Sequence, residues 1–83
     1  MAEQKLLQLI ISKVDGPVFN GEVISVSVPG VAGDMQILAN HEALITPLKK
    51  GVIFIEKGDQ TKETFELEIG TLEVSNNHAT ILI

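Results

Sequence analysis

The sequence predicts an all-β domain, a sandwich or barrel of short strands. Turn-forming residues (Asp15-Gly16, Pro29-Gly30, Asn40, Gly51, Gly58-Asp59, Gly70, Asn76-Asn77) recur roughly every 8–12 residues, the spacing of such architectures. Phe65, Leu67 and Ile69 alternate with Glu66 and Glu68, the period-two signature of a half-buried strand. No amphipathic segment is long enough for a helix, and the three aromatics are all Phe, so Val, Ile and Leu must fill the core. β-Branched aliphatics in that proportion favour pleated structure.

In chain order, Lys5 to Val14 is a mostly apolar run closed by Asp15-Gly16-Pro17, read as a first strand. Val18-Phe19 is a brief extended piece before Asn20-Gly21, a dipeptide suited to a hairpin turn with positive φ. Glu22 to Val28 reads as a strand with Ile24, Val26 and Val28 inward and Ser25 and Ser27 outward. Pro29 has no N–H to donate, so pairing is expected to stop there. Gly30-Val31-Ala32-Gly33 is a loop tip bearing apolar side chains, and Met35 to Leu38 is the next strand. An Asn40-His41-Glu42 corner and a short apolar run ending at Pro47 lead to Lys49-Lys50-Gly51, which launches a strand over Gly51 to Lys57. Lys57-Gly58-Asp59-Gln60 is its polar turn. The Phe65–Ile69 alternation follows, Gly70 marks a bend or bulge, and Leu72-Glu73-Val74 continues the strand. Ser75-Asn76-Asn77 turns the chain into a last strand with Ala79, Ile81 and Ile83 inward.

A chain of 83 residues is read as a single domain, 1–83. It buries only roughly 60–65% of its unfolded surface, so its stability is expected to lean on partners. The net charge is −5 and there is no arginine, which leaves a phosphate backbone little to grip and excludes nucleic acid as the expected partner. The absence of cysteine removes disulfides, thiol nucleophiles and thiolate metal sites, and fits a reducing compartment. No apolar run approaches the roughly 20 residues of a membrane span. Met1 to Lys5 has neither an export nor a transit pattern, so a soluble cytosolic chain is expected.

Catalytic templates fail one by one. His41-Glu42 opens like a zinc-protease motif, but Ile45 stands where the second histidine is needed. His78 has no ligand spacing to His41. Gly30-x-x-Gly33 lacks the lysine and length of a phosphate loop, and no nucleophile elbow occurs. No enzyme activity, cofactor or metal is expected. Read plainly, His41 is a loop histidine bonded to local backbone, Glu63, Glu66, Glu68 and Glu73 are solvated strand faces, and Gly30 and Gly33 supply positive φ. Val31-Ala32 is less ordinary: two apolar residues at a Gly-flanked tip, followed by Asp34, read as a contact surface as readily as a solvated turn.

One set of spacings runs through the chain. Phe19, Gly21 and Val23 are followed by Pro29, Gly30, Gly33, Asp34, Ile37, Leu38 and His41. Leu44, Leu48, Lys49 and Gly51 come next, and Gly70, Leu72, Glu73 and Val74 close the series. In this order the chain resembles the epsilon subunit of bacterial F-type ATP synthase over essentially its whole length. It departs from the family pattern at Gln36, where Gly is usual, at Ala39-Asn40, where Pro-Gly is usual, and at Ile69, where a first Gly is expected. Asn40 tolerates positive φ nearly as Gly does, so the corner survives.

The resemblance implies a flattened β-sandwich of about ten short strands in two sheets, and a non-catalytic rotor part. Such a domain sits at the foot of the central stalk between the gamma subunit and the c-ring, peripheral to the cytoplasmic face of the bacterial plasma membrane. It helps couple proton transport to ATP synthesis, while ATP chemistry belongs to other subunits. By the same resemblance Val31, Ala32, Gly33 and Asp34 face the c-ring loops, and His41, Ala43, Leu44 and Thr46 face gamma. His41 thus has two readings, local and interfacial. The family's C-terminal helical hairpin is not in this sequence, which ends at Ile83; a naturally short subunit and a piece of a longer one are both open, and no hairpin-mediated inhibition is expected of this form. Exposed Val31 and Leu44 are expected to favour self-association. The rival readings are a small soluble β-barrel binding an apolar ligand, for which the chain has few wall residues and no aromatic lining, and a protein-interaction domain with no named partner.

Overall fold

Alternation of apolar and polar residues places eight strands along the chain, and in the computed structural model they describe residues 5–83 together with their turns. They are β1 (Leu7–Lys13), β2 (Gly16–Gly30), β3 (Gly33–Leu38), β4 (Leu44–Leu48), β5 (Gly51–Lys57), β6 (Lys62–Leu67), β7 (Gly70–Ser75) and β8 (His78–Leu82). No helix occurs among the described residues, and so none that is long and apolar enough to cross a membrane. Of the amino-terminal stretch read above, Met1 to Gln4 lie outside the described residues.

The strands make two layers joined through the 15-residue β2. The first half of β2 pairs antiparallel with β1, which pairs parallel with β8, and β7 and β4 follow antiparallel. The second half of β2 pairs with β3 on one side and β5 on the other, and β6 completes that layer. A single bridge, Gly30 to Leu48, stitches β2 to β4. Counted by layer, β2 serves twice, which is how eight strands make the expected flattened sandwich.

One core fills the space between the layers. Leu7, Leu9, Ile11, Leu72, Val74 and Ile81 come from the first layer; Val26, Ile37, Ile53 and Ile55 come from the second. All are aliphatic, as the scarcity of aromatics requires. Burying each such side chain contributes about 1.5–3 kcal/mol relative to solvent exposure. Among the described residues no buried side-chain polar atom lacks a partner.

Several local expectations are corrected. Asn20-Gly21 is not a turn: Asn20 pairs with Ile10 and Gly21 with Leu9 inside the β1–β2 ladder. The glycine is there because a Cβ would lie 3.3 Å from the Phe19 ring, a packing demand that mimics a turn signal. The two-residue hairpin with positive φ at both centres is Asn76-Asn77, φ 50° and 60°, closed by the pair Ser75–His78. Pairing also passes through Pro29, which faces Asp34. Its C=O accepts from Lys49 N–H at 2.9 Å, so the missing N–H points to the same side, beyond the last β2–β5 pair Ser27–Phe54, and no ladder bond is lost.

A bulge between Val23 and Ser25 shifts the β2 register, so Val23 is fully buried while Ile24 is only half-buried. Ile69, expected inward, is 77% exposed because β6 ends at Leu67 and the chain bends before β7. The run before Pro47 is a strand in its own right, β4, with Pro47 opposite Thr71.

Candidate docking surfaces

The sequence offers two candidate surfaces, and β3 and β4 set their relative placement. Gly30 and Gly33 pair and close the Val31-Ala32 turn, a tip that projects from the β2–β3 hairpin. Val31 is 54% exposed although it is apolar. Its N–H donates to Pro47 C=O at 3.2 Å, and Lys49 N–H to Pro29 C=O, so the tip is fastened to the β4–β5 connection. Asp34 is exposed and forms no ion pair among the described residues.

The second surface begins where β3 ends. Ala39-Asn40 turns the chain, with Asn40 at φ 64°, the left-handed conformation expected of it. His41 N–H donates to Leu38 C=O at 3.2 Å, and His41 Nδ1 lies 2.8 Å from Glu42 C=O. A carbonyl only accepts, so Nδ1 carries a hydrogen, and Nε2 has no hydrogen-bond partner among the described residues. The local backbone role read for His41 is therefore present. His78 does the same with Asn76 C=O.

Along β4 the side chains alternate. Leu44 and Thr46 share the face of buried Leu48 and are half-buried, Leu44 packing against the core. Ala43 is exposed. The exposed apolar residue of the strand is Ile45, at 71%, and not Leu44 as expected, because a period of two sends neighbours to opposite faces. Ala43, Leu44, Ile45, Glu73, Val74 and Ser75 line a shallow groove beside the corner.

The four tip residues are thus contiguous, and His41, Ala43 and Leu44 gather at the corner, whereas Thr46 sits midway along β4, next to Pro47 whose C=O holds the Val31 N–H of the tip. β3 runs from tip to corner and β4 returns from corner to tip, so the His41–Leu44 end stands roughly 17 Å from the tip at 3.3 Å per residue, with Thr46 between them. Sequence reading missed Asn77. Its Oδ1 accepts from Asn40 N–H at 2.8 Å and its Nδ2 donates to Leu6 C=O at 2.9 Å, tying the β7–β8 turn to the corner. The Asn-Asn dipeptide announced a turn but carried no sign of this link. Among the described residues no three His, Asp or Glu side chains converge as a metal site.

Residues 6–83 match the family model described as the beta-sandwich domain of the ATP synthase delta/epsilon chain. The chain is 40% identical over 77 residues to the ATP synthase epsilon chain of Sulfurimonas denitrificans, covering 93% of this chain and 59% of that one. It is 42% identical over 77 residues to the epsilon chain of Nitratiruptor sp., covering 93% and 60%. The chain therefore spans about three-fifths of the length of these relatives. A chain in the cryo-EM structure of Euglena gracilis mitochondrial ATP synthase, OSCP/F1/c-ring, superposes with a TM-score of 0.86 at 19% identity, over 99% of this chain and 52% of that one. One in the central stalk/c-ring structure of Tetrahymena thermophila mitochondrial ATP synthase gives 0.75 at 14%, over 98% and 65%. At those identities the likeness carries the fold.

Proposed function

The chain belongs to the family of ATP synthase delta/epsilon-chain β-sandwich domains, and on that premise we propose that it is a non-catalytic rotor element joining the gamma subunit to the c-ring. The observation that supports this reading most is the placement of the tip and of the His41–Leu44 part of the corner at opposite ends of β3 on a single core. A close-packed sandwich is stiff, so a load applied at one end is delivered at the other. The tip, Val31 to Asp34, would meet the polar loops of the c-ring; the corner, His41 to Thr46, would meet gamma.

On this reading the domain transmits rotation driven by proton flow at the cytoplasmic face of the bacterial plasma membrane, held there through the c-ring and without inserting. The chemistry of ATP lies with other subunits. Asp34 at a wet rim would contribute about 0–1 kcal/mol by pairing with a basic loop residue, which sets register more than affinity.

The test is direct. The chain mixed with gamma should co-elute on size exclusion, and the pair should bind isolated c-ring. A chain that elutes alone in the presence of gamma overturns the reading.

A further inference from the structure

The corner that carries His41 is held from a distance. Asn40 sits at φ 64°, a left-handed conformation that asparagine accepts readily but that does not by itself fix where the corner points. What ties the corner down is the Asn77 carboxamide, 37 residues away, which accepts the Asn40 N–H at 2.8 Å. The other end of the same carboxamide is spoken for: Nδ2 donates to Leu6 C=O at 2.9 Å. Asn77 C=O in turn accepts from Gln8 N–H at 3.2 Å. With both ends of its side chain engaged on different segments, Asn77 cannot rotate away from the corner without breaking both bonds. Asn77 thus braces three segments, namely the β7–β8 turn, the entry to β1 and the β3–β4 corner.

We propose that Asn77 is the positioning residue of the gamma-facing surface, fixing the Asn40–Leu44 backbone so that His41 Nε2 and the adjoining groove are presented in one arrangement. This rests on the docking function proposed above and goes beyond it. Asn77 itself touches no partner; it acts through Asn40.

Asn77→Gly separates the brace from the turn. Glycine accepts φ 60° at the second centre of a two-residue hairpin at least as well as asparagine, so the β7–β8 hairpin is kept while both side-chain bonds are lost. Asn77→Asp retains an acceptor for Asn40 N–H but replaces the donation to Leu6 C=O by a contact between two acceptor oxygens. Amide exchange at Asn40 in the 83-residue chain reads the brace, and titration against purified gamma reads its consequence. Asn77→Gly is expected to speed Asn40 exchange and weaken gamma binding by roughly three- to tenfold, the worth of one hydrogen bond, while c-ring binding through the tip is unchanged. Asn77→Asp, which keeps the acceptor for Asn40 N–H, is expected to fall between Asn77→Gly and the parent in both. Unchanged Asn40 exchange in Asn77→Gly overturns the proposal. So does faster exchange with unchanged gamma affinity. In that second case Ala43→Asp, at an exposed residue of the same surface, decides how far the failure reaches: if it weakens gamma binding, positioning alone falls, and if it does not, the docking reading falls as well.

Discussion

Phe19 on β2 and Phe65 on β6 meet edge to face, ring centroids 6.1 Å apart and planes inclined at 62°. They come from different layers, so the pair clasps the sandwich at the end where β6 has no further strand beside it. A double-mutant cycle with Phe19→Leu and Phe65→Leu should give a coupling of about 0.5–1.5 kcal/mol in denaturant unfolding. Strict additivity would mean that the rings merely share space.

Gly70 should not tolerate a side chain. A Cβ there would lie 2.7 Å from Leu82 C=O and 3.1 Å from both Ile83 and Leu67 side chains. Gly70→Ala is expected to lower stability by about 1–3 kcal/mol through overpacking. Gly58→Ala is the control, because its nearest neighbours would be at an ordinary 3.5 Å. Equal effects at the two sites would contradict the steric account.

Asp34→Lys should leave the melting curve within about 0.5 kcal/mol of the parent, since the residue is exposed and forms no ion pair among the described residues. If the tip meets a basic c-ring loop, the reversal should weaken capture of c-ring and leave gamma binding alone. Undiminished capture counts against that contact.

The Asp59 carboxylate accepts from the Thr61 hydroxyl and from the Thr61 N–H at 3.0 Å, and these bonds hold its pKa below the ordinary 3.8. A depressed folded pKa adds stability above the unfolded value, and that stability is lost as pH falls through the folded one. The window therefore lies in acid, below the usual aspartate range. Carbon-detected titration of Asp59 in Thr61→Val should give a pKa displaced upward from that in the parent. Identical values would assign the shift to something other than the hydroxyl.

The strand content was legible because the core face repeats every second residue from Phe65 to Leu67 and again from Leu72 to Val74. What misled was local chemistry with two possible causes. Gly21 makes room for a ring, yet in sequence it reads as a turn after Asn20. Pro29 and Pro47 look like terminators, but each sits in a strand where no ladder bond needs its N–H. Ile24 lost its place to a bulge that only the register with β5 reveals. The tip and corner residues came from the resemblance, and composition alone supplied neither. Asn77 was beyond reach in principle, since a bond to a residue 37 positions earlier leaves no periodic trace.

Because β8 lies between β1 and β7, the first layer holds an open slot until the last strand arrives. A nascent chain therefore has to expose the apolar flanks of β1 and β7 while it waits, and closure joins Leu9 to Ala79 across most of the polypeptide. Such distant closure makes assembly slow and puts the unfinished layer at risk of capture by another copy. For this domain β8, the last of its strands to be made, decides whether the sandwich shuts on itself.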